Sequence, residues 1–400
     1  MPHFISRNRF TKTNTKQGEY EIGDYLYSAS LEDSCLLPVR TKDRVNLIRC
    51  SKKGDYYLYK PDKQERDSNL AATKEILRLL SSNLDLISHN LNPTNRHARG
   101  ANSPFLLNLE TLSQASDLIK QVDFVEIGFG SGRHILELAA RHGDKKILGF
   151  ELHGPSVRQL ISAVDRLGLQ NLFVAQVDAR LGLQILSPAT VGAIFLHFPV
   201  PWSKAVHRRV FYGDFLNQSL RVLKEGGRLS IRSDDLDYIR DCVQAALDRD
   251  GIKLDIAKNN DIGITSKYEQ RWKNLEKPIY DLNITKQATL DNQAGAIALD
   301  EIALPRIQKA QKDILLACRH RRWVRADCFV SLGEVYYSKA EEFGLVRLSL
   351  GSFYLPFSTY LVAKDGILSY FRSPLGLPSH SSAKNLLSLI LNQAIEARGG

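Results

Sequence analysis

From residue 121 onward the chain alternates short aliphatic runs with amphipathic stretches. "DFVEIG", "KILGFE", "NLFVAQVD", "GAIFLHFP" and "GRLSIRSD" are apolar on both faces, and the segments between them carry a helical period. Helices are predicted over 131–142, 155–168, 204–222 and 235–249; in the second, Val157, Leu160, Ile161, Val164 and Leu167 share one side. Strands buried on both faces, each followed by a helix, specify an α/β domain with a parallel sheet covered on both sides.

The flanks read differently. Before residue 95, "YEIGDYLYSA", "VNLIRC" and "DYYLYKP" alternate apolar and polar residues, the last two joined by a "SKKG" turn at Gly54, and predict a small antiparallel unit. A helix starting at Asp67 or Ser68 follows, with Leu70, Ile76, Leu77, Leu80 and Leu84 at helical spacing. "HNLNPTNRHARGANSP" reads as a linker and "NQAGAIALDE" as a second hinge. Beyond it come a helix over 303–318, strand-like runs near 323–338 and 344–350, a hairpin "FSTYLVAKDGILSYFR" turning at Asp365-Gly366, and a helix over 382–397. The expected division is a β-rich extension with one helix over 1–95, the α/β domain over 96–293 and an α+β extension over 294–400.

Composition narrows the class. With 43% hydrophobic and 24% charged residues the 400-residue chain is of ordinary globular make-up. No apolar run approaches the roughly 18 residues that cross a bilayer; "SFYLPFSTYLV" is too short, and no apolar stretch backs the basic start, so no membrane partner is expected and a cytoplasmic location is. Five cysteines without a C-x-x-C pair argue against a disulfide framework or a zinc site, and no metal is expected. The net charge of +10 sits mostly in the flanks; it suits a polyanionic partner and equally a solvated surface.

The candidate chemistry starts at "VEIGFGSGRH", where Gly128, Gly130 and Gly132 follow the first strand of the sheet and precede a helix. Glycines let the chain turn sharply and leave room for a ligand at the carboxyl ends of the strands. The dinucleotide fingerprint needs its third glycine at 133, which is Arg, so the pyrophosphate reading fails. The G-x-G-x-G form is commoner among S-adenosylmethionine methyltransferases, whose cofactor is cationic. Three acids support that reading: Glu151 ends the second strand, where a carboxylate can accept ribose hydroxyls; Asp178 follows the third, within reach of an adenine amino group; Glu126 lies just ahead of the glycines, an anion for a sulfonium and an ammonium ligand. Each acid alone is equally a helix cap or a solvent-facing side chain.

With "EIGFGSG", "GFELH", "VDA", "FPVPWSKAVHRR", "IRSDDLDY" and "TSKYEQRW" in order, the chain resembles the bacterial tRNA (guanine-N7-)-methyltransferases. The resemblance spans about 126–284 and finds no counterpart for the flanks in the compact members. It implies a Rossmann-like methyltransferase sheet, mostly parallel with one late antiparallel strand, and transfer of methyl from S-adenosylmethionine to N7 of guanosine at position 46 of the tRNA variable loop. The family pattern F-P-D-P-W-x-K becomes Phe198-Pro199-Val200-Pro201-Trp202-Ser203-Lys204 here, followed by His207-Arg208-Arg209. The prolines end the strand and fix an extended loop. Trp202 offers a flat face for a base, and Lys204, Arg208 and Arg209 can meet phosphates. Val200 replaces the family aspartate held to be catalytic or to grip guanine, which leaves the catalytic residue unassigned. Asp234 matches a family aspartate implicated in substrate binding, and Lys267, Glu269 and Arg271 match residues near the cofactor's methionine end or the target nucleoside.

In the C-terminal flank, "RHRRWVR" gathers Arg319, His320, Arg321, Arg322, Trp323 and Arg325; Arg321 and Arg322 are candidates for RNA contact, and a basic helix end is the competing account. Two other functions stand beside the tRNA enzyme: an S-adenosylmethionine methyltransferase for another RNA site or a small molecule, and a tRNA-binding relative impaired in turnover. Monomer and homodimer are both open.

Overall fold

The computed structural model describes residues 1–42, 44–62, 70–92, 103–260, 278–287, 304, 316–338, 343–365, 367–374 and 378–396. Lys267, Glu269 and Arg271, and most of the expected 303–318 helix, lie outside these. The chain divides into two compact units, one of residues 94–298 and one of residues 1–93 with 299–400. The two flanks, expected as separate extensions, thus fold together. Among the described residues no helix is long and apolar enough to cross a membrane.

The unit 94–298 holds one eight-stranded sheet. The five aliphatic runs form its first to fifth strands: Val122–Ile127, Lys146–Phe150, Leu172–Ala175, Val191–His197 and Leu223–Ser233. A sixth, Ile252–Lys258, and a seventh, Tyr280–Lys286, follow. Across the sheet the order is sixth, seventh, fifth, fourth, first, second, third, with a short Leu106–Leu107 strand beyond the third. The seventh strand is antiparallel to both of its neighbours, and the other pairings are parallel, as the Rossmann-like expectation required.

Each strand sends alternate side chains to opposite layers. Val125, Ile127, Ile194, Leu196, Leu229 and Ile231 join the core under the helices Ala179–Ile185, Phe215–Val222 and Leu236–Leu247. Ala193 and Phe195 join the layer under Arg133–Arg141 and Gly154–Leu167. Helices after the first two strands cover one face, and those after the third, fourth and fifth cover the other. The chain therefore reverses its winding between the first and fourth strands, and the strand ends there leave a crevice. One expected helix is shorter than its pattern: 204–222 contains a 3₁₀ turn at Val206–Arg208, and the α-helix begins only at Phe215, after Gly213 in the left-handed region at φ 62°.

The second unit contains a 13-stranded sheet to which both ends of the chain contribute. The join is antiparallel, with Tyr336 opposite Ser28 and Tyr337 opposite Tyr27. Two polar ties accompany it: the buried Tyr360 hydroxyl donates to Asp62 at 2.9 Å, and the amide of exposed Ser30 donates to Glu334 at 3.1 Å. Asp62 also accepts from Arg49, so its buried carboxylate is satisfied from both halves. The predicted hairpins form, Val45–Lys53 with Tyr56–Pro61 around Gly54 at φ 60°, and Leu355–Lys364 with Ile367–Tyr370. A short strand Leu86–His89, not expected from the sequence, lies antiparallel to Phe4–Ser6 and takes in only the first residue, His89, of the expected linker.

Near the crevice a polar row crosses the sheet on the Phe195 side. His134 donates from Nδ1 to Glu126 at 2.8 Å, its ring meets His197 edge-on at 4.7 Å, and Arg232, opposite His197 in register, pairs with Asp281 at 3.1 Å. Burial, then the facing His134 and Arg232, hold the His197 imidazole well below its ordinary pKa. His197 stays neutral in the folded chain but takes a proton below about 6.5 when unfolded, so stability falls as pH drops through that value. Each pH unit costs up to about 1.4 kcal/mol. Urea unfolding at pH 7.0 and 5.5 should show a smaller acid loss in His197→Phe than in the parent chain; equal losses would assign the acid sensitivity to other groups.

Candidate functional site

The crevice is walled by two loops, one leaving the first strand and one leaving the fourth. In the first, Gly128, Gly130 and Gly132 all take positive φ (70°, 54° and 75°). A Cβ on Gly132 would sit 2.7 Å from Leu160, which fixes glycine there by close packing. A Cβ on Gly128 would meet nothing within 4 Å, and one on Gly130 only the Gly128 carbonyl at 3.9 Å. That side of the loop faces open space.

Glu151, at the end of the second strand, reaches this loop: its carboxylate accepts from the Gly130 amide at 3.1 Å and the His153 amide at 2.8 Å. It is half-buried, with acceptor capacity left toward the crevice. Asp178 caps the helix Ala179–Ile185, accepting from the Arg180 amide at 3.0 Å, and pairs with the Arg180 guanidinium at 2.7 Å. The capping role weighed for it from sequence is the one it plays here, beside any adenine contact. Glu126 departs from expectation. Strand alternation turns it under the helix Arg133–Arg141, where it is 4% exposed and bound to His134, so it lies in the wall behind the glycine loop.

The second loop is strained and anchored. Phe198 and Trp202, on either side of Pro199-Val200-Pro201, both adopt positive φ, 50° and 43°. Each costs roughly 1–3 kcal/mol for a non-glycine residue and persists only where surrounding contacts impose it. The Phe198 amide donates to the Arg232 carbonyl at 2.7 Å, and the Arg209 Nε to the Pro201 carbonyl at 2.6 Å. Arg209 also pairs with Asp241 and lies 5.1 Å from the Tyr238 ring centroid. Arg209 is therefore not the phosphate-facing residue expected from sequence: it is 4% exposed, its charge met by Asp241, and it works as the loop's anchor. Trp202, Lys204, His207 and Arg208 are exposed, and Arg208 sits over the Trp202 ring at 5.2 Å.

Val200 is 62% exposed at the top of this loop. Asp234 follows the fifth strand, which is paired with the fourth up to His197 opposite Arg232, so both residues lie just past the same strand ends. Its neighbour Asp235 does the helix capping, accepting from the Tyr238 amide at 2.8 Å. Sequence reading missed His134, His197, Arg232, Asp281 and the Arg209 partner Asp241. For His197 and Arg232 the signal was present, since both, like Glu126, are polar residues near the ends of strands that are mostly apolar there.

A family model described as "Putative methyltransferase" matches residues 120–282, which hold most of the sheet and both loops. Proteins named tRNA (guanine-N(7)-)-methyltransferase are similar over nearly the whole chain. One from Helicobacter pylori (strain ATCC 700392 / 26695) is 34% identical, covering 98% of this chain and 99% of its own. One from Wolinella succinogenes is 31% identical over 97% and 99%, and one from Campylobacter fetus subsp. fetus 30% identical over 97% and 99%. The flanks, without counterpart in the compact members, are thus shared with these relatives. Similarity of this extent, across the glycine loop, the proline loop and both flanks, places the chain in the tRNA (guanine-N(7)-)-methyltransferase family.

Proposed function

We propose that the chain transfers the methyl group of S-adenosylmethionine to N7 of a guanine in tRNA, at position 46 as the family resemblance implies. The observation that carries this reading is the meeting of two loops at one crevice: an open glycine turn tied to an acceptor carboxylate, and a proline loop held in strain beside it with an aromatic ring and basic side chains outward.

The residues fit the cofactor. Open space lies in front of Gly128 and Gly130, and the charged side chain touching that turn is Glu151, an acceptor suited to ribose hydroxyls and a cationic ligand rather than to a phosphate. Glu151 and Asp178 would hold the nucleoside part, with Gly128 and Gly130 lining it; when bound, the cofactor supplies an electrophilic methyl group on a positively charged sulfur. Glu126 supports this site from behind by fixing His134 and the start of the helix after the glycines.

Guanine N7 carries a lone pair and no proton in the neutral base, so no side chain has to remove one. Val200 is compatible with that chemistry. The chain's task is alignment, and holding two reactants in line is worth roughly 7–11 kcal/mol in favourable cases. The proline loop positions the base, with Trp202 as a stacking face and Lys204 and Arg208 toward the backbone phosphates. Positive charge moves onto the purine as the methyl transfers, and the role assigned to Asp234, just past the fifth strand, is to offset it.

Methyl incorporation into tRNA, followed by cleavage at 7-methylguanosine, tests the activity; label elsewhere in the RNA, or binding without label, would instead favour the two other readings. Asp234→Ala should lose most of the turnover while Val200→Asp keeps or raises it; unchanged turnover in Asp234→Ala would sink this division of roles. Arg209→Ala should keep cofactor binding by calorimetry yet raise the KM for tRNA about tenfold or more, because the loop loses its anchor and not its charge toward RNA.

A further inference from the structure

The strand Arg321–Val324 pairs antiparallel with Phe329–Tyr337, which continues through Phe343–Ser352 to Leu355–Lys364. Alternation gives this part of the sheet two unlike faces. Val330, Leu332, Leu348, Leu350 and Leu361 are buried in a core shared with Leu387 and Leu391 of the helix Pro378–Glu396. On the other face the strands present Arg322, Phe329, Ser331, Ser349 and Ser358. Arg322 lies over the Phe329 ring at 4.6 Å, and Phe329 stacks on Phe353 at 5.8 Å and 28°. Phe353 is 45% exposed at its hairpin turn, and the Ser349 and Ser358 hydroxyls meet at 2.8 Å on an exposed stretch.

The charge here is mainly positive. Among the described residues of these four strands the basic side chains are Arg322, Arg347 and Lys364 on this face and Arg321 on the other, opposite Leu332, against one acid, Glu334. Glu334 is engaged by the Ser30 amide at 3.1 Å and by His320 at 3.3 Å. Asp327, in the turn before Phe329, faces Arg325 and Ser382. Arg347 runs flat across Gly333, its side chain 3.4 Å from where a Cβ would stand, so the face stays shallow. The "RHRRWVR" segment is both a helix end and a strand: Arg319 and His320 follow the helical residues 316–318, as a basic helix end would, while Arg321 and Arg322 belong to an exposed strand.

A bare antiparallel face with a guanidinium and an exposed aromatic ring in one column, small hydroxyls around it and surplus positive charge is chemistry for an unpaired nucleotide: a base stacks on the ring while its phosphates meet arginine. We infer that this face is a second tRNA-contacting surface, in which an unpaired nucleotide stacks on Phe353 and its backbone is held by Arg322; Arg321, opposite Leu332, is turned to the helix-covered side and takes no part. The inference rests on tRNA being the substrate. The partner is committed by charge complementarity; a second copy of the chain or an acidic protein is the alternative occupant.

The test uses the full chain, with wild type, Arg322→Gln, Phe353→Ala and an exposed control, Arg40→Gln, compared by tRNA affinity at several salt concentrations and by calorimetry with S-adenosylhomocysteine. The expected result is about tenfold weaker tRNA binding in both face variants. The arginine variant should also lower the salt slope by about 0.7–0.9, the share of one lost phosphate contact. Cofactor-product binding should stay unchanged in all, and Arg40→Gln should behave as wild type. Affinities and slopes equal to wild type in both face variants, or equal loss in Arg40→Gln, overturn the surface. So does sedimentation showing that Phe353→Ala dissolves a dimer while tRNA affinity stays. If the wild type neither binds nor methylates tRNA, the failure belongs to the proposed function and is recognised before any variant is read.

Discussion

The parallel pairing of the first and fourth strands, with Glu126 opposite Phe195 and Ile127 opposite Leu196, is the constraint on which the site depends. The chain winds away from this pair in both directions, so no helix closes over the two strand ends and the loops leaving them must face each other. The pairing also sets parity: Ile127 and Leu196 enter the apolar core, while Glu126 and His197 are turned to the opposite layer with His134 and Arg232. A one-residue slip would bury Phe195 where Leu196 packs and aim Glu126 at the apolar core. The polar row therefore makes the correct register specific, because only that register pairs Glu126 with His134 and Arg232 with Asp281.

What was legible in the residues was local. Five aliphatic runs separated by helical periods gave the sheet and its layers, since each run carries its own burial pattern. The glycine turn and Glu151 could be read because both sit where a strand must end. Arg208 and Arg209 mark the limit: neighbours of identical chemistry, one exposed over Trp202 and the other buried against Asp241, a partner on a later helix. A loop has no periodicity from which to choose between them. The flanks failed for a related reason, as a pairing such as Ser28 with Tyr336 leaves no local signature and each half alone resembles a small independent unit.

The proline loop shows what its strain is set against. Two positive-φ residues flanking an apolar tip are costly for an exposed segment, yet Pro199 and Pro201 remove much of the unfolded chain's freedom. The Arg209 bonds to Pro201 and Asp241 then select one of the few conformations left. A rigid loop matters more here than in an enzyme needing proton transfer. With no proton to move, misplacement of the base is the main way to lose rate, which is the ground on which the proposed chemistry tolerates Val200.

Joining the two chain ends in one sheet has a folding consequence. The halves of that sheet are separated by the whole of residues 94–298. Closing a disordered connection of that length costs entropy before any contact between the halves returns it, and this cost grows with the logarithm of the loop. The inserted unit has its own core and largely sequential strand pairings, so it is the part able to fold first. Once folded it replaces a long flexible connection by a fixed one, after which the Tyr336–Ser28 pairing and the Asp62–Tyr360 bond form at smaller cost.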